Sequence, residues 1–379
     1  MSKLYLFIIW KKSINKKDLI LEDIEKKFVI RDVYEIKWSE KEFANNMTKF
    51  YGRRLPNTSK KIESSGIGPF LLILISDPNP KLERRMLDDM NEVEINTNVY
   101  NSKMKYRAWA GADYALHASN SEEETKHDLA LLFGTKLEEF EKELPEKWDR
   151  SIKKIDNHHI IGHNGWKNTK EFFNVLNVTI NYVVLRNFED FPDKIPDGDI
   201  DILTDDIKTM SIIINQENPD VDLPIIIGNK KISIDFRYQM GYKLDEKWSK
   251  DVLKRRVMHG GGFYVPCKKD YFYTLFYHNI IDGSMKYKKM LSQLAIEIGI
   301  EENINEILND NVESERFLKK YMISMGYKKT NTTSKTLYKI KHNELIRLLR
   351  ASIFFIKTHG IIFFLKKVKQ KIKLMKDNI

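Results

Sequence analysis

A mixed α/β (α+β) fold in more than one domain is predicted by three observations. Short apolar runs of strand type alternate with segments of helical spacing through most of the chain. At 379 residues the chain exceeds what a single core ordinarily holds. Hydrophobic residues make up 42% and charged residues 31%, which suits globular folding and excludes a multi-span membrane protein. The predicted architecture is an N-terminal α/β unit over 1–140, a polar connector over 141–165 and a central mixed sheet over 166–285. A helical region over 286–344 and a basic tail over 345–379 complete it.

The elements follow from local pattern. Leu4–Trp10 is an apolar run that reads as a buried strand. Lys17–Lys27 sets Leu19, Ile20 and Ile24 on one helical face. Phe28–Trp38 returns to strand character and Glu40–Tyr51 to helix. Phe70–Ile75 is the strongest strand signal, ended by Asp77-Pro78-Asn79-Pro80. Ser121–Phe133 is a helix with acids in its first turn and Leu129, Leu132 and Phe133 as its stripe. Asp156, His158, His159 and His163 lack zinc-site spacing and read as part of the connector. Beyond it, Thr169–Val178 and Asp206–Ile214 read as helices, and Ile180–Leu185, Asp199–Leu203 and Lys231–Arg237 as strands. From Glu246 onward the chain is mostly helical, with His259-Gly260-Gly261-Gly262 as a joining loop and Tyr271, Tyr273, Tyr277 and His278 on an aromatic core helix.

The formal net charge of +10 points to an anionic partner, although part of it sits in the tail. Cys267 is the only cysteine, so neither an intrachain disulfide nor a cysteine zinc cluster is expected. A reducing, cytoplasmic setting follows. The N-terminal apolar run is too short for a signal peptide, and Lys11 and Lys12 follow the run, whereas a signal peptide carries its charge before it. No run reaches the roughly 20 apolar residues that a spanning helix needs.

The chemistry concentrates in Gly198-Asp199-Ile200-Asp201-Ile202. Residues two apart in a strand share a face, so Asp199 and Asp201 are neighbours there. Carboxylates that close repel unless a cation lies between them. Mg²⁺ prefers such hard oxygen ligands together with substrate phosphates. Asp235 adds a third acid in the apolar strand Ile232–Phe236.

This order of strand, loop, GDID strand, helix and acid-bearing strand resembles the nucleotidyltransferase superfamily over about residues 165–285. It looks most similar to bacterial members found in surface-polysaccharide gene clusters. The resemblance implies that Asp199 and Asp201 bind Mg²⁺ or Mn²⁺, and that Asp235 serves a second metal or acts as general base. Where the family carries Gly-Ser after its first strand, this chain has Arg186-Asn187. Arg186 is therefore expected to bind phosphate bidentately, beside Gly198. The related phosphocholine and ribitol-phosphate transferases share this core and use a cytidine-diphosphate donor.

In the first unit, His117-Ala118-Ser119-Asn120-Ser121 leads into the Ser121–Phe133 helix. The stretch is similar to the active-site segment of nucleoside diphosphate kinases, as is the order of elements around it. That resemblance implies a phosphate-accepting role for His117 and phosphate binding by Arg107. Trp10 stands where the family has a lysine, and Tyr114 where it has an asparagine.

The tail 345–376 interleaves apolar residues with lysine and arginine and holds no acid. A helix of this kind is expected to lie on an anionic membrane surface. Nucleic acid is not expected as a partner, since no recognised binding fold accompanies the charge. The expected function is metal-dependent transfer of a nucleotidyl or phospho-alditol group from a nucleotide-activated donor to a polysaccharide or alditol acceptor. The setting is surface-polysaccharide (capsule or related) biosynthesis at the inner face of the cell membrane. The alternatives are a phosphohistidine nucleotide kinase using His117 and a non-catalytic nucleotide-binding scaffold.

Overall fold

The computed structural model describes residues 3–86, 92–191, 199–216, 224–238, 244–282 and 286–328. The chain has the mixed α/β composition expected. It divides into two compact units, one of residues 1–180 with 212–215 and 226–230, the other of 181–211, 216–225 and 231 onward. Gly198 and the tail 345–379 lie outside the described residues. No helix among the described residues is long and apolar enough to cross a membrane.

In chain order, the elements up to the first sheet's last strand are β1 (Lys3–Ile9), α1 (Lys17–Glu25), β2 (Val29–Lys37), α2 (Phe43–Phe50), α3 (Lys60–Ser65), β3 (Phe70–Asp77), β4 (Leu82–Met86), β5 (Glu92–Asn96), α4 (Thr97–Ala110), β6 (Leu116–Ala118), α5 (Glu122–Phe133), α6 (Leu137–Glu143) and β7 (Lys153–Asp156). Then come α7 (Thr169–Thr179), β8 (Tyr182–Val184), β9 (Asp199–Thr204), α8 (Ile207–Ile213), β10 (Ile225–Ile227), β11 (Lys230–Tyr238), α9 (Glu246–Lys254), β12 (Val257–Met258), β13 (Tyr264–Val265), α10 (Lys268–Asp282), α11 (Lys288–Glu297), α12 (Ile304–Asn309) and α13 (Asn311–Met325).

The first unit is built on a five-stranded sheet in the order β6-β1-β3-β2-β7. β1 and β3 are its centre and pair antiparallel, with Leu6 opposite Leu74. Their near-continuous apolar runs suit strands covered on both faces, and every residue of β3 is buried. Tyr5, Phe7 and Ile9 alternate into a core shared with Ile20 and Ile24 of α1 and Val99 and Tyr106 of α4. A second cluster gathers Trp10, Trp38, Phe43, Phe50 and Phe70, with Trp10 and Trp38 each 4.8 Å from the Phe70 ring. Trp10 is thus core and fully buried.

Besides the β4–β5 pair and the short helices α3 and α6, two parts of this unit differ from the sequence reading in ways that bear on its sheet. Lys153–Asp156, inside the expected connector, forms β7 and pairs parallel to β2, with Ile155 opposite Ile36. Its sequence, KKID, carries too little apolar signal to be seen alone, and only the sheet edge beside it makes it a strand. Helix α4 was also not predicted. Its buried residues include Ser102 and Lys103, so its apolar stripe is interrupted, although Asn96 caps its start and Gly111, at φ +71°, its end. By contrast α5 begins and ends where its signals lie. The Ser121 hydroxyl accepts from the Glu124 N–H at 3.1 Å, and Gly134 turns left-handed at φ +71°.

In the second unit β8 pairs antiparallel with β9, and β9 pairs parallel with β11. The helices α9 and α10 are tied by Arg255, whose guanidinium donates to both Asp270 carboxylate oxygens at 2.8 and 2.7 Å. Trp248 of α9 stacks on Tyr327 at 5.2 Å. The His259–Gly262 segment is the turn of a β12–β13 hairpin in which Val257 faces Val265. The His259 N–H donates to the Phe263 carbonyl at 2.8 Å, and Gly262 adopts φ +84°. The expected joining loop is therefore a hydrogen-bonded turn, with glycine meeting the left-handed requirement.

Candidate functional site

Strand β9 presents Asp199 and Asp201 to one face because side chains alternate along a strand. The parallel register then sets Asp235 opposite Asp201, and Ser233 opposite Asp199. One carboxylate oxygen from each of the three acids lies within 4.8 Å of the others. Asp199 is exposed, while Asp201 is 1% and Asp235 9% exposed. Buried carboxylates are costly unless paired or bound to a cation. Metal–oxygen lengths of about 2.1 Å put the ligands of one ion roughly 3–4 Å apart, so small side-chain rotations bring these oxygens onto one ion. The donor set is all oxygen and suits Mg²⁺ or Mn²⁺.

Arg186 follows directly on β8. The Leu185 N–H donates to the Asp201 carbonyl at 2.9 Å, which fixes the next residue beside the acid. The Arg186 guanidinium donates to Asp201 Oδ1 at 2.5 Å. Its expected phosphate-binding head is thus engaged by one of the three acids. Downstream, Asn187 turns left-handed at φ +57°, and its side chain accepts from the Tyr287 hydroxyl at 3.0 Å. The Tyr271 hydroxyl donates to Glu189, and the Phe188 ring packs 4.7 Å from Tyr271. Burial, then the neighbouring Glu189, pushes the Tyr271 hydroxyl pKa up. The sequence reading placed Tyr271 in an aromatic core helix. The structure adds that it braces the loop carrying Arg186. Tyr287 and Glu189 carry no local signal in the sequence, since nothing near them points to contacts with residues so distant in the chain.

In the first unit His117 lies on β6, 7% exposed, and its Nε2 is 2.7 Å from Asp128 Oδ2 on α5. Burial alone would raise the Asp128 carboxyl, but the charge and hydrogen bonds of His117 and His127 hold it below its ordinary value. The motif around His117 also splices the sheet to the helix. The Leu6 N–H donates to the Ser119 hydroxyl at 2.9 Å, and Thr125 donates to the same oxygen at 2.9 Å. Arg107 donates through Nε to the Leu116 carbonyl at 3.1 Å, one residue before His117. Lys103 donates to the Ala118 carbonyl at 3.1 Å. The Tyr51 ring lies 5.8 Å from His117 and carries the Lys61 ammonium on its face. Burial, and then the charges of Arg53, Arg107 and Lys103, lower the Lys61 pKa to about 7. Asp128, Lys61 and Lys103 were missed in the sequence. Asp128 reads there as one more polar residue of a capped helix.

No family model matches the chain, and no curated protein matches it. Among solved structures, it is similar to an orthorhombic crystal form of the nucleoside diphosphate kinase of Aquifex aeolicus. The two share 15% identity over 35% of this chain and 96% of that one, with a TM-score of 0.25.

Proposed function

We propose that the second unit is a divalent-cation-dependent transferase of nucleotidyl or phospho-alditol groups, with Asp199, Asp201 and Asp235 as its metal-binding and catalytic residues. The observation that carries this reading is the convergence of three carboxylates, two of them buried, from neighbouring strands. Asp199 and Asp201 hold the cation. Asp235 completes its shell or takes the proton of the attacking hydroxyl. A bound Mg²⁺ or Mn²⁺ would supply Lewis-acid stabilisation of charge on the transferred phosphorus group. Arg186 supplies a permanent positive charge beside the acids, in line with the guanidinium's fit to phosphate oxygens. An acceptor among polysaccharides or alditols, and a place at the inner membrane face, rest on the family resemblance and on the basic tail.

The test is a thermal-shift screen of the full chain with Mg²⁺ or Mn²⁺ against nucleoside triphosphates and cytidine-diphosphate alcohols. A shift that needs both metal and nucleotide, and is absent in Asp201→Asn, is the expected result. A nucleotide response that survives in Asp201→Asn, or that needs no metal, would overturn the reading and favour the scaffold alternative.

The His117–Asp128 pair favours a second reading for the first unit. A carboxylate holding one imidazole nitrogen sets the tautomer and leaves the other nitrogen as a nucleophile. Incubation with γ-labelled nucleoside triphosphate decides it, because an acid-labile label lost in His117→Gln establishes the phosphohistidine and its absence removes this reading.

A further inference from the structure

We propose that Arg186 is a built-in counter-cation of the carboxylate centre, which occupies Asp201 in the metal-free protein and turns to a phosphate oxyanion once a divalent cation is bound. The inference rests on the metal-centre reading and concerns how that centre is regulated.

The geometry points to it in three ways. Asp201 is 1% exposed and accepts from Arg186 at 2.5 Å, so a guanidinium lies directly against its negative charge. The acids lie close enough to repel one another strongly at low local dielectric, and a cation within hydrogen-bond distance relieves that repulsion. A divalent ion at the same oxygens does so more completely and competes directly for Asp201. Finally, the segment around Arg186 is anchored. Leu185 is bonded to Asp201, Asn187 to Tyr287 and Glu189 to Tyr271. The flexible side chain is the part left to reorient, and it stays within reach of the centre. The guanidinium is thus withheld from phosphate until the cation arrives.

The test is direct Mn²⁺ binding to the full chain, read from the electron paramagnetic resonance signal of free Mn²⁺, for wild type, Arg186→Met and Arg186→Lys. Loss of a charge-assisted hydrogen bond to the ligand acid should tighten Mn²⁺ binding roughly tenfold in Arg186→Met. Arg186→Lys should stay close to wild type. A merely structural arginine would give the opposite sign, since a disturbed site binds metal more weakly. If Arg186→Met does not fold, Arg186→Gln removes the same charge while keeping a polar head. Equal or weaker Mn²⁺ binding in the charge-removed variant, with wild type binding normally, overturns this inference and leaves the metal centre intact. Absence of Mn²⁺ binding in wild type overturns both. At saturating Mn²⁺, cytidine monophosphate should raise the melting temperature of wild type but not of Arg186→Met. A shift that persists in the variant removes the phosphate part of the proposal.

Discussion

Asp235 lies opposite Asp201 in the parallel pairing of β11 with β9, and with Asp199 it forms a three-carboxylate cluster in which oxygens approach within 4.8 Å. The repulsion within the cluster has a thermodynamic consequence. Metal that binds only the folded chain stabilises it by mass action, about 2.7 kcal/mol at a hundredfold excess over Kd. Addition of millimolar Mg²⁺ or Mn²⁺ should therefore raise the melting temperature by several degrees, and a chelator should reverse it. Replacing Asp235 by Asn should abolish this response while leaving the metal-free melting temperature nearly unchanged or slightly higher, since one of three repelling charges is gone. Calorimetry with and without metal checks both parts.

The His117–Asp128 pair predicts an acid sensitivity. The folded Asp128 carboxyl lies below its ordinary value of 3.8. Between the two values the unfolded chain binds more protons, so the pair's contribution is complete above about pH 4 and falls away as pH drops through the folded value. Asp128→Asn should cost about 1–3 kcal/mol near neutrality, because the partner imidazole stays buried. In urea melts, the gap between wild type and variant should narrow as pH falls below 3.8. A gap independent of pH would show that packing, not charge, is what Asp128 supplies.

Lys49 of α2 predicts the same direction with pH, but its removal should stabilise rather than destabilise. It is 2% exposed, with its ammonium 3.3 Å from the Ile161 carbonyl and 5.6 Å from the Trp166 ring. Burial lowers its pKa from 10.5 to about 7. Between those values the unfolded chain binds the proton that the folded chain has lost, so stability rises with pH across that window. At and below pH 7 the full penalty of a buried charge is present. Lys49→Met should therefore stabilise the protein at pH 7 by on the order of 2 kcal/mol, with the gain shrinking toward pH 10. Denaturant unfolding at the two pH values measures this.

The basic tail carries the last prediction. Full-length chain should co-sediment with anionic vesicles at low salt, and a chain ending at Asn343 should stay in the supernatant. Apolar burial and electrostatics act together in such segments, and screening over roughly 8–10 Å weakens the second. Binding should fall as salt is raised. Equal sedimentation of both chains would remove the tail from the binding.

What the sequence determined by itself is local. Continuous apolar runs identify β1 and β3, a cap and a glycine bound α5, and strand alternation alone sets Asp199 and Asp201 on one face. These follow from interactions between residues a few positions apart, which periodicity and capping chemistry record. What the tertiary structure decided is pairing across long stretches of chain. The register of β11 on β9 joins Asp235 to Asp201, the end of β8 brings Arg186 onto the same acid, and packing of α5 on the first sheet sets Asp128 against His117. β7 becomes a strand only because β2 offers an edge. Strand neighbours and registers are selected by burial over the whole sheet rather than by local preference. The three acids were therefore legible in the chain, whereas their approach to one another and to Arg186 was set by the fold.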